Sequence, residues 1–478
     1  MPKKLNRQTI GIIQHRPVKV LQFGGGNFLR GFADWVIDVL NEKTDFNGAI
    51  DIITSVTPGT AEKINEQNGL YHLVQQGTEQ GKQISETRLI TSVNRAIDPV
   101  REFDAFLKSA INPDLRFIIS NSTEAGITFS ESDTGIDSLP GTFPGKLTLL
   151  LFHRYLHFHG DADKALVILP CELIEQNGLA LKNMVLRYAS YWTLCDDFVN
   201  WIGKNTFCNT LVDRIVPGFL KETIDDVRIN TGFDDKLVVA AEPFYFWAIE
   251  APPWVQIDFP TQQAGLDNIV FASDITPYRI RKVRILNGAH TAMTPVAYLR
   301  GIRTVKEAMD DPYLSAFVAD TIKKENIPTL DLPQNELTDF AAAVSDRFRN
   351  PFIKHLLLSI SLNSISKFKV RVLPTMIDYM RLKNVWPENL TLSFAALICF
   401  YKGTWGGDTI PLNDSPDVIS IMNKAWREDT IERTVNHILA DTSLWDSDLT
   451  KLPGLFEAVS MNVGQLVASE RTSEIKVH

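Results

Sequence analysis

Three polar residues, Lys282, Asn287 and His290, form the pattern K-x4-N-x2-H in a stretch whose spacing predicts a helix. Thr276-Pro277 precedes them, and a threonine cap followed by proline at the first helical position is a helix-start signal. Each residue of an α-helix turns the direction by about 100°, so Asn287 points roughly 140° from Lys282 with His290 between them. The three side chains then share one broad face. A lysine that can lose its proton, beside an amide donor and an imidazole, suits metal-free hydride transfer between an alcohol and a ketone.

The same segment has a plainer interpretation. Arg279, Arg281, Lys282 and Arg284 form a basic run, and such runs are usually solvated helix faces. Taken alone, the motif favours an exposed basic helix over a catalytic face. The decision depends on whether another part of the chain supplies a cofactor.

The composition is that of an ordinary globular protein. Of 478 residues, 44% are hydrophobic and 22% are charged, and this length is typical of two or three domains. The formal net charge of −9 argues against a nucleic-acid surface. The start, from Met1 to Gln8, is polar, and no apolar run reaches the roughly 18 residues of a membrane span. We therefore expect a cytoplasmic protein with neither nucleic acid nor a membrane as partner.

Residue types that bind metals are present but lack ligand spacing. The cysteines are Cys171, Cys195, Cys208 and Cys399. They form no C-x-x-C pair, so neither a disulfide framework nor a structural zinc site is indicated. His153 and His157 would meet on a helix, with His159 nearby, but no H-E-x-x-H pattern or acidic ligand accompanies them. The expected chemistry therefore uses no metal.

The first half of the chain alternates between strand and helix patterns. Apolar β-branched runs separated by helical stretches are typical of a mostly parallel sheet covered on both faces. A helix is predicted over 27–40, and the predicted strands are 17–23, 49–56, 115–120, 165–169, 237–241 and 268–271. From Thr276 onward the apolar spacing is helical instead. The sequence thus predicts an α/β domain over 1–275 and a mainly α-helical domain over 276–478.

A glycine turn follows the first long strand. Gly24, Gly25 and Gly26 lie between a predicted strand and helix, the context of a Rossmann-type dinucleotide site in which glycines allow close backbone approach. The predicted cofactor-binding residues are Gln22, Phe23, Gly24, Gly25, Gly26, Asn27 and Phe28. The spacing fits only in part, because Leu29 holds the third glycine position and Gly31 lies two residues later. This turn makes 1–275 the dinucleotide-binding domain and leaves 276–478 as the substrate and catalytic domain.

The end of the second strand does not identify the cofactor. An acidic residue there would bind the ribose hydroxyls, and an arginine would accept a 2′-phosphate. The chain reads Thr54-Ser-Val-Thr57 instead. The choice between NAD and NADP is therefore open from these residues.

Four stretches in fixed order resemble the polyol-specific long-chain (mannitol dehydrogenase) family of oxidoreductases over most of the chain. They are Gln22–Arg30, Thr210–Pro217 with its V-D-R-I-x-P signature, Glu242–Trp247 with Glu250, and the Lys282 motif. The resemblance implies NAD as the cofactor and Lys282 as the general acid and base. It also implies the roles of three further residues, namely hydrogen-bond donors to the charged oxygen at Asn287 and Asn177, and a substrate-orienting imidazole at His290.

One departure from the family pattern bears on the substrate. Mannitol-type members read C-D-N and then N-G after three residues, whereas this chain has Cys171-Glu172-Leu173 and keeps Asn177-Gly178. Within the family we take this to favour a sugar acid in hexuronate catabolism, with D-altronate and D-tagaturonate as the pair. D-mannonate with D-fructuronate, or another polyol, is the alternative. The rival class is a regulator that senses NAD(H) without chemistry, although such a protein has no need of the lysine motif.

A sugar acid requires a cationic partner for its carboxylate. Lys367 and Arg371 are four residues apart and would share a helix face, although an exposed basic helix end explains them equally well. Asp213 and Arg214 are predicted to form an internal ion pair that buttresses the junction between the domains.

Overall fold

The computed structural model describes residues 2–11, 15–54, 59–122, 126–217, 221–352 and 354–474, without the side chains of 221–223 and 471–474. The chain divides into two compact units, one of Met1–Gln76 with Gln83–Ile275 and the other of Gly77–Lys82 with Thr276–His478. The first unit is built on a parallel sheet and the second is mainly helical. The predicted fold class, an α/β Rossmann-like part followed by a helical part, is confirmed.

The elements before Thr276 alternate between strand and helix. The strands are β1 (Lys3–Lys4), β2 (Val18–Phe23), β3 (Ala49–Ile53), β4 (Tyr71–Glu79), β5 (Lys82–Ile90), β6 (Val93–Ile97), β7 (Phe117–Ser120), β8 (Val167–Pro170), β9 (Thr206–Phe207), β10 (Asn209–Asp213), β11 (Phe233–Asp234), β12 (Val239–Ala241), β13 (Phe246–Glu250) and β14 (Ile269–Ala272). The helices are α1 (Arg7–Ile10), α2 (Asn27–Arg30), α3 (Ala33–Lys43), α4 (Thr60–Glu66), α5 (Phe103–Ala110), α6 (Phe143–His157), α7 (Asn177–Tyr191), α8 (Asp196–Ile202), α9 (Lys221–Thr231) and α10 (Pro253–Asp258), with a 3₁₀ turn at Ala162–Lys164.

Six strands form one parallel sheet in the order β6-β3-β2-β7-β8-β9. Renumbered within the sheet, this order is the 3-2-1-4-5-6 arrangement of the doubly wound dinucleotide-binding fold. Along β2, Val20 packs into one hydrophobic cluster and Leu21 into another, so both faces of the sheet are covered. The strand order reverses between β2 and β7, where Phe23 pairs with Ser120. In such sheets the ligand binds outside the carboxyl ends of the strands at this reversal.

Two of the predicted strands do not join this sheet. The segment predicted at 237–241 is β12, which pairs with β4 of a long hairpin. The segment predicted at 268–271 is β14, which pairs with β13, and β13 runs antiparallel to β10. Alternating apolar residues predict a strand but not its neighbour, and the hairpin that supplies β4 lacks a continuous apolar run. The β10–β13 pair sets two stretches of the family resemblance side by side, with Asp213 opposite Phe246.

The helix predicted over 27–40 is broken into α2 and α3. Gly31 lies at the break, and a Cβ there would approach a side-chain carbon of Val216 to 2.8 Å and one of Val239 to 3.1 Å. The Gly31 carbonyl accepts a hydrogen bond from Arg214 at 2.8 Å. Close packing and a side chain that binds a helix carbonyl therefore interrupt the regular α pattern.

Helices dominate from Thr276 onward. They are α11 (Thr276–Arg281), a π-helix (Lys282–Asn287), α12 (Gly288–Leu299), α13 (Val305–Asp310), α14 (Pro312–Asp320), a second π-helix (Thr321–Asn326) with a 3₁₀ turn (Ile327–Thr329), α15 (Gln334–Phe348), α16 (Leu357–Ile360), α17 (Ser364–Arg371), α18 (Leu373–Lys383), α19 (Glu388–Phe400), α20 (Pro416–Ala425), α21 (Ile431–Ala440), α22 (Thr442–Trp445), a 3₁₀ turn (Leu449–Lys451) and α23 (Leu455–Glu474). A short hairpin joins β15 (Thr404–Trp405) and β16 (Asp408–Thr409). Among the described helices, none combines the length and the hydropathy needed to cross a bilayer.

The core of the second unit forms around α19. Its sequence from Leu390 to Phe400 is largely apolar on all sides and is almost entirely buried, as expected of a helix with neighbours all round. Phe394 packs against Phe368 and Trp445, with ring centroids 4.8 and 5.1 Å apart. Ser393 donates a hydrogen bond of 2.8 Å to the carbonyl of Ala292. This bond ties α19 to α12, the helix that carries His290.

Candidate active site

Lys282 and Asn287 are the first and last residues of the π-helix between α11 and α12. The expectation of a regular α-helix through this motif is wrong. The Gly288 N–H donates to Val283 O, five residues back, which is the π pattern. Because a π turn closes from residue i to i+5, residues with the spacing of Lys282 and Asn287 lie on successive turns of one face. Lys282 and Asn287 are therefore more nearly aligned along the helix than an α-helix would place them. Such π segments are frequent at functional sites.

The basic run around Lys282 is not a solvated helix face. Arg281 is 6% exposed, stacks on the Phe340 ring at 4.4 Å, and lies 3.7 Å from the carboxylate of Glu336. Arg284 forms an ion pair of 2.6 Å with Asp378. Both guanidinium groups are thus compensated by carboxylates inside the second unit. The plainer interpretation of the motif, an exposed basic face, is contradicted by this burial.

His290 lies on the first turn of α12 among aromatic rings. Its imidazole stacks on the ring of Phe348 with centroids 4.0 Å apart and planes inclined by 21°. The imidazole of His355 stands against it edge-on at 5.1 Å. Burial lowers the pKa of His355, so that ring favours its neutral form. No motif in the sequence pointed to His355, because it lies 65 positions after His290 in the chain.

Lys367 and Arg371 both lie on α17, as the predicted helix face requires. Their charges are partly buried: burial and then the nearby Arg371 lower the pKa of Lys367, and burial lowers that of Arg371. The Lys367 ammonium donates 2.9 Å to the carbonyl of Ile360. At least part of its bonding capacity therefore holds the chain before α17. A carboxylate-binding role for these two residues stays a prediction.

Asn177 begins α7 and is fully buried. Its amide nitrogen lies 2.9 Å from Pro170 O and 3.1 Å from both Glu172 O and Thr210 O. Its amide oxygen accepts from the N–H groups of Gly178 and Thr210 at 2.9 and 2.8 Å. Both amide hydrogens are committed to main-chain oxygens, so the predicted donation to a substrate oxygen does not fit this geometry. We assign Asn177 a structural role, which fixes the ends of β8 and β10.

Glu172 is a buried carboxylate at the carboxyl ends of β7 and β8, and its position was not predicted. It is 2% exposed and accepts hydrogen bonds from the Ser120 hydroxyl at 3.1 Å and from the Ser122 N–H and hydroxyl at 2.9 Å. Burial raises its pKa, and the serine donors partly offset this. The neighbouring Leu173, which replaces the family asparagine, is 60% exposed. The departure thus places an apolar side chain at the surface beside the strand ends.

The glycine turn has the geometry of a dinucleotide-binding turn. Gly24 adopts φ +114° and a Cβ there would lie 3.2 Å from Asn121 O, so glycine is required on both counts. A Cβ at Gly26 would meet no atom within 4 Å, which leaves open space in front of α2. Gly31, two residues after the expected third position, packs α2 closely against β12. That close packing is the purpose of the third glycine in the fingerprint.

The predicted cofactor residues divide into a buried and an accessible group. Gln22 is fully buried and donates 3.0 Å to Gly24 O, and Phe23 is buried against Phe143. These two side chains hold the turn from behind. The accessible part of the turn runs from Gly24 to Phe28.

A buried polar network that was not predicted braces this turn. Arg30 donates to Gly25 O at 3.2 Å and to the Asn27 side chain at 2.7 Å. The Tyr71 hydroxyl oxygen lies 2.8 Å from Arg30 O and 2.9 Å from the Asp34 carboxylate, so its single hydrogen lies between two acceptors. Burial raises the pKa of Asp34 to about 7 despite the nearby tyrosine and arginine. The position of Arg30 shortly after the glycines could have indicated its role from the sequence. The role of Tyr71 is visible only in the folded structure.

Arg214, in the V-D-R-I-x-P stretch, supports the chain at Gly31, shortly after this turn. It is 5% exposed, donates to Gly31 O at 2.8 Å and to Glu242 O at 3.0 and 2.9 Å, and stacks on Trp35 at 4.4 Å. Burial lowers its pKa to about 10. These contacts all lie within the first unit, and the predicted Asp213–Arg214 ion pair at the domain junction stays a prediction. Arg214 connects two stretches of the family resemblance with Gly31, the residue that directly follows a third.

Two further expectations concern the cofactor and metals. Residues 55–57, at the strand end where an acidic residue would bind the ribose hydroxyls, lie outside the described residues. Thr54 is buried, and its hydroxyl donates 3.2 Å to Ile97 O. Among the residues that the structure describes, no three His, Cys, Asp or Glu side chains are grouped so that they could hold a metal ion.

Family comparison agrees with this arrangement in both halves of the chain. The profile of the mannitol dehydrogenase Rossmann domain matches residues 18–260, and that of the mannitol dehydrogenase C-terminal domain matches residues 274–467. Together these cover most of the 478 residues. The chain belongs to the mannitol dehydrogenase family, a family of oxidoreductases.

Curated relatives are similar over nearly their whole length. An altronate oxidoreductase of Yersinia enterocolitica is 45% identical over 472 residues, which is 97% of each chain. One from Bacillus subtilis is 44% identical over 97% of this chain and 96% of its own. Among solved structures, a D-sorbitol dehydrogenase in substrate-free form shares 21% identity with a TM-score of 0.81, over 98% of this chain and 100% of that one. The Pseudomonas fluorescens mannitol 2-dehydrogenase complex with NAD and D-mannitol shares 22% identity with a TM-score of 0.68, over 99% of each chain. At 21–22% identity, these two solved structures show that this chain has the same fold.

Proposed function

We propose that this protein catalyses the NAD-dependent interconversion of D-altronate and D-tagaturonate in hexuronate catabolism. The observation that carries the proposal is the identity of 44–46% to altronate oxidoreductases over at least 95% of each chain. The site residues support it, because they offer a dinucleotide turn and a lysine, amide and imidazole group. Fructuronate reduction is the second candidate, since it uses the same chemistry on a sister ketouronate.

The residues of the first unit fit a dinucleotide. The left-handed backbone at Gly24, the open space at Gly26 and the exposed Asn27 leave main-chain groups accessible at the strand-order reversal. Arg30 and Gln22 fix the turn from the buried side. Gly24 to Phe28 would hold NAD, which when bound accepts a hydride in the oxidation and, as NADH, supplies one in the reduction. The assignment of NAD rather than NADP rests on the family.

Lys282 is the general acid and base in this proposal. In the oxidation its neutral amine takes the proton from the substrate hydroxyl, while the carbon that bears this hydroxyl gives its hydride to NAD. In the reduction its ammonium group returns a proton to the forming alkoxide. Lys282 is the first residue of the π-helix and follows Arg281, which is buried and paired with Glu336. These contacts fix the main chain from which the lysine side chain extends. Positioned proton transfer of this kind contributes roughly 10²- to 10⁴-fold in rate.

Asn287 and His290 complete the proposed group. The Asn287 amide donates a hydrogen bond to the oxygen that becomes negative, an interaction worth about 3 kcal/mol in other enzymes. His290, whose ring plane is fixed by stacking on Phe348, orients a neighbouring substrate hydroxyl. Asn177 is not part of the group, because its amide is used within the first unit.

The test is a substrate panel with purified protein. NADH consumption is followed with D-tagaturonate, D-fructuronate and D-fructose, and NADPH is run in parallel. The proposal expects the highest kcat/KM with D-tagaturonate and NADH. A preference for D-fructuronate would replace the substrate and retain the mechanism. Binding of NADH without turnover of any ketose or ketouronate would favour the regulator instead.

A further inference from the structure

The π-helix that carries Lys282 and Asn287 has a dedicated support on a neighbouring element. In an α-helix the Gly288 N–H would donate to Arg284 O, but here it donates to Val283 O. The Arg284 carbonyl instead accepts a hydrogen bond of 2.6 Å from the side-chain amide of Asn326. An inserted side chain therefore takes the position that the main chain has left. Side-chain insertion of this kind is a recognised cause of helix irregularity.

Asn326 is built into its position from several sides. It is 1% exposed and ends the second π-helix. Its own carbonyl accepts from the Thr329 hydroxyl at 2.8 Å, and Thr329 in turn accepts from the Arg284 guanidinium at 3.1 Å through its carbonyl and at 3.0 Å through its hydroxyl. Arg284 and Asn326 are thus joined twice, once through a carbonyl and once through Thr329. The preceding residue, Glu325, accepts from the first N–H groups of α19, so the second π-helix is itself anchored.

The other side of the π turn is closed by Gly288. A Cβ at this position would lie 3.1 Å from Arg371 O and 3.7 Å from the Asn326 amide nitrogen. The turn is therefore packed between the end of α17 and the end of the second π-helix. Loss of the Asn326 donor would leave Arg284 O buried beside an apolar group, and the i→i+4 bond from Gly288 would then satisfy it. Such a change would return the segment to α-helical register and rotate Asn287 away from Lys282.

We propose that Asn326 is a positioning residue for the reaction: its amide holds the π register that places Asn287 and Lys282 on one face. The inference rests on the proposed role of Lys282. It predicts that Asn326 acts on the chemical step and leaves the affinity for NADH, a property of the first unit, unchanged. Asn326 touches neither substrate nor cofactor in this proposal.

The test compares Asn326→Leu with a matched control, Asn389→Leu. Asn389 lies in the same unit and also donates from its side-chain amide to a main-chain oxygen, Phe317 O at 3.3 Å, but it is not bonded to the Lys282 segment. We expect Asn326→Leu to lower kcat by roughly 10- to 100-fold, the range of a displaced catalytic geometry, with an unchanged Kd for NADH. The control is expected to stay within about twofold of the wild type, because it keeps the Asn389 main-chain N–H that binds Glu325 and leaves the Asn326 amide in place.

Two further readouts separate positioning from simple destabilisation. Hydrogen exchange of peptides that span 282–290 should speed up or change pattern in Asn326→Leu and not in Asn389→Leu. The pH profile of kcat should also shift in the first variant, because the proton-transfer group has moved. If Asn326→Leu does not fold, Asn326→Ser withdraws the donor from Arg284 O with a smaller change and is measured in the same way.

The outcomes distinguish this inference from the proposed function. If Lys282→Ala abolishes turnover but Asn326→Leu or Asn326→Ser retains the wild-type kcat and pH profile, Asn326 does not position the site and only this inference is overturned. An equal loss of kcat in Asn326→Leu and Asn389→Leu overturns it as well. Near-normal turnover in Lys282→Ala overturns the proposed mechanism itself, whatever Asn326 does.

Discussion

At the scale of single residues, chemical type alone does not separate a reacting group from a supporting one. Asn177 and Asn287 are both asparagines to which the family resemblance gives the same donor role. The amide hydrogens of Asn177, however, are bonded to main-chain oxygens. Arg281 and Arg284 look like a solvated patch but are paired with Glu336 and Asp378. Their roles are decided by the partners that the fold supplies.

Replacement of Lys282 tests the central residue. Lys282→Ala should fold and bind NADH with wild-type affinity, while kcat falls by roughly 10²- to 10⁴-fold because no other group takes the proton. Steady-state assays and NADH titration measure the two quantities. Lys306→Ala is the control, since Lys306 is a half-exposed residue of the same unit that pairs with Asp310 at 2.6 Å. Turnover of Lys282→Ala close to that of the control would show that another group transfers the proton.

Replacement of Asn177 tests the structural role that its contacts assign. Asn177→Ala removes bonds to buried main-chain groups at Pro170 and Thr210, each unmade bond costing about 1–3 kcal/mol. We expect the free energy of unfolding to fall by about 3 kcal/mol, and kcat of the folded protein to stay within about threefold of the wild type. Urea unfolding and assays below the transition measure both. A large drop in kcat at unchanged stability would return Asn177 to the catalytic group.

At the scale of elements, periodicity identified six strands and the helical character of the chain after Thr276, and it missed what depends on neighbours. The six predicted strand regions each contain a strand, but β12 and β14 pair outside the main sheet. The helix after the glycine turn breaks at Gly31 because β12 approaches it. The π turn at Lys282 was not predictable, since one extra residue in a turn barely changes an apolar pattern. It depends on Asn326, 39 residues beyond Asn287 in the chain.

The glycine turn makes a prediction that separates binding from packing. Gly26→Ala adds a Cβ into open space and Gly31→Ala adds one within 2.8 Å of Val216. We expect Gly26→Ala to raise the Kd for NADH by at least about tenfold, which is about 1.4 kcal/mol, without lowering stability. Gly31→Ala should lower the free energy of unfolding by about 1–3 kcal/mol through overpacking.

The control for this pair is Gly464→Ala. Gly464 lies within α23, and a Cβ there meets no atom within 4 Å. It should leave NADH binding unchanged and stabilise the helix by about 0.5–1 kcal/mol. Titration of NADH fluorescence and thermal unfolding give both quantities. Unchanged NADH affinity in Gly26→Ala would move the cofactor away from the turn.

The second π-helix carries a pH-dependent element of stability. Glu325 accepts from the N–H groups of Asn389 and Leu390 at 2.8 and 2.9 Å, while burial raises its pKa from 4.5 to about 7. A carboxyl group with a raised pKa in the folded state binds more protons folded than unfolded. Stability from this group is therefore fully present below about pH 4.5 and is lost as pH rises towards about 7.

The measurement compares wild type with Glu325→Gln, so that other titrating groups cancel. Relative to Glu325→Gln, the wild type should lose up to about 3 kcal/mol of its free energy of unfolding as the pH rises from about 4.5 to 7.5. Chemical unfolding at several pH values measures this difference. Parallel pH dependence of the two proteins would mean that Glu325 titrates as an ordinary exposed glutamate.

At the scale of the whole molecule, the proposed function assigns a different task to each unit. The first unit supplies the accessible turn and its buried support, and the second supplies the lysine, amide and imidazole group. In the proposed mechanism a single lysine serves both directions of the reaction, and this imposes opposite pH trends. Oxidation of D-altronate needs the neutral amine and should accelerate as pH rises, whereas reduction of D-tagaturonate needs the ammonium form and should slow.

The two trends are measured as kcat/KM from about pH 6 to pH 10 in each direction. Gly26→Ala should keep both trends at saturating cofactor, because it alters a turn in the first unit and leaves Lys282 in place. The residual activity of Lys282→Ala should lose both. Trends of the same sign in the two directions would point to a step other than proton transfer, such as cofactor release, as the source of the pH dependence. The division of labour between the units is then tested in one set of profiles, since a change at Gly26 of the first unit should alter cofactor affinity alone and a change at Lys282 of the second should alter proton transfer alone.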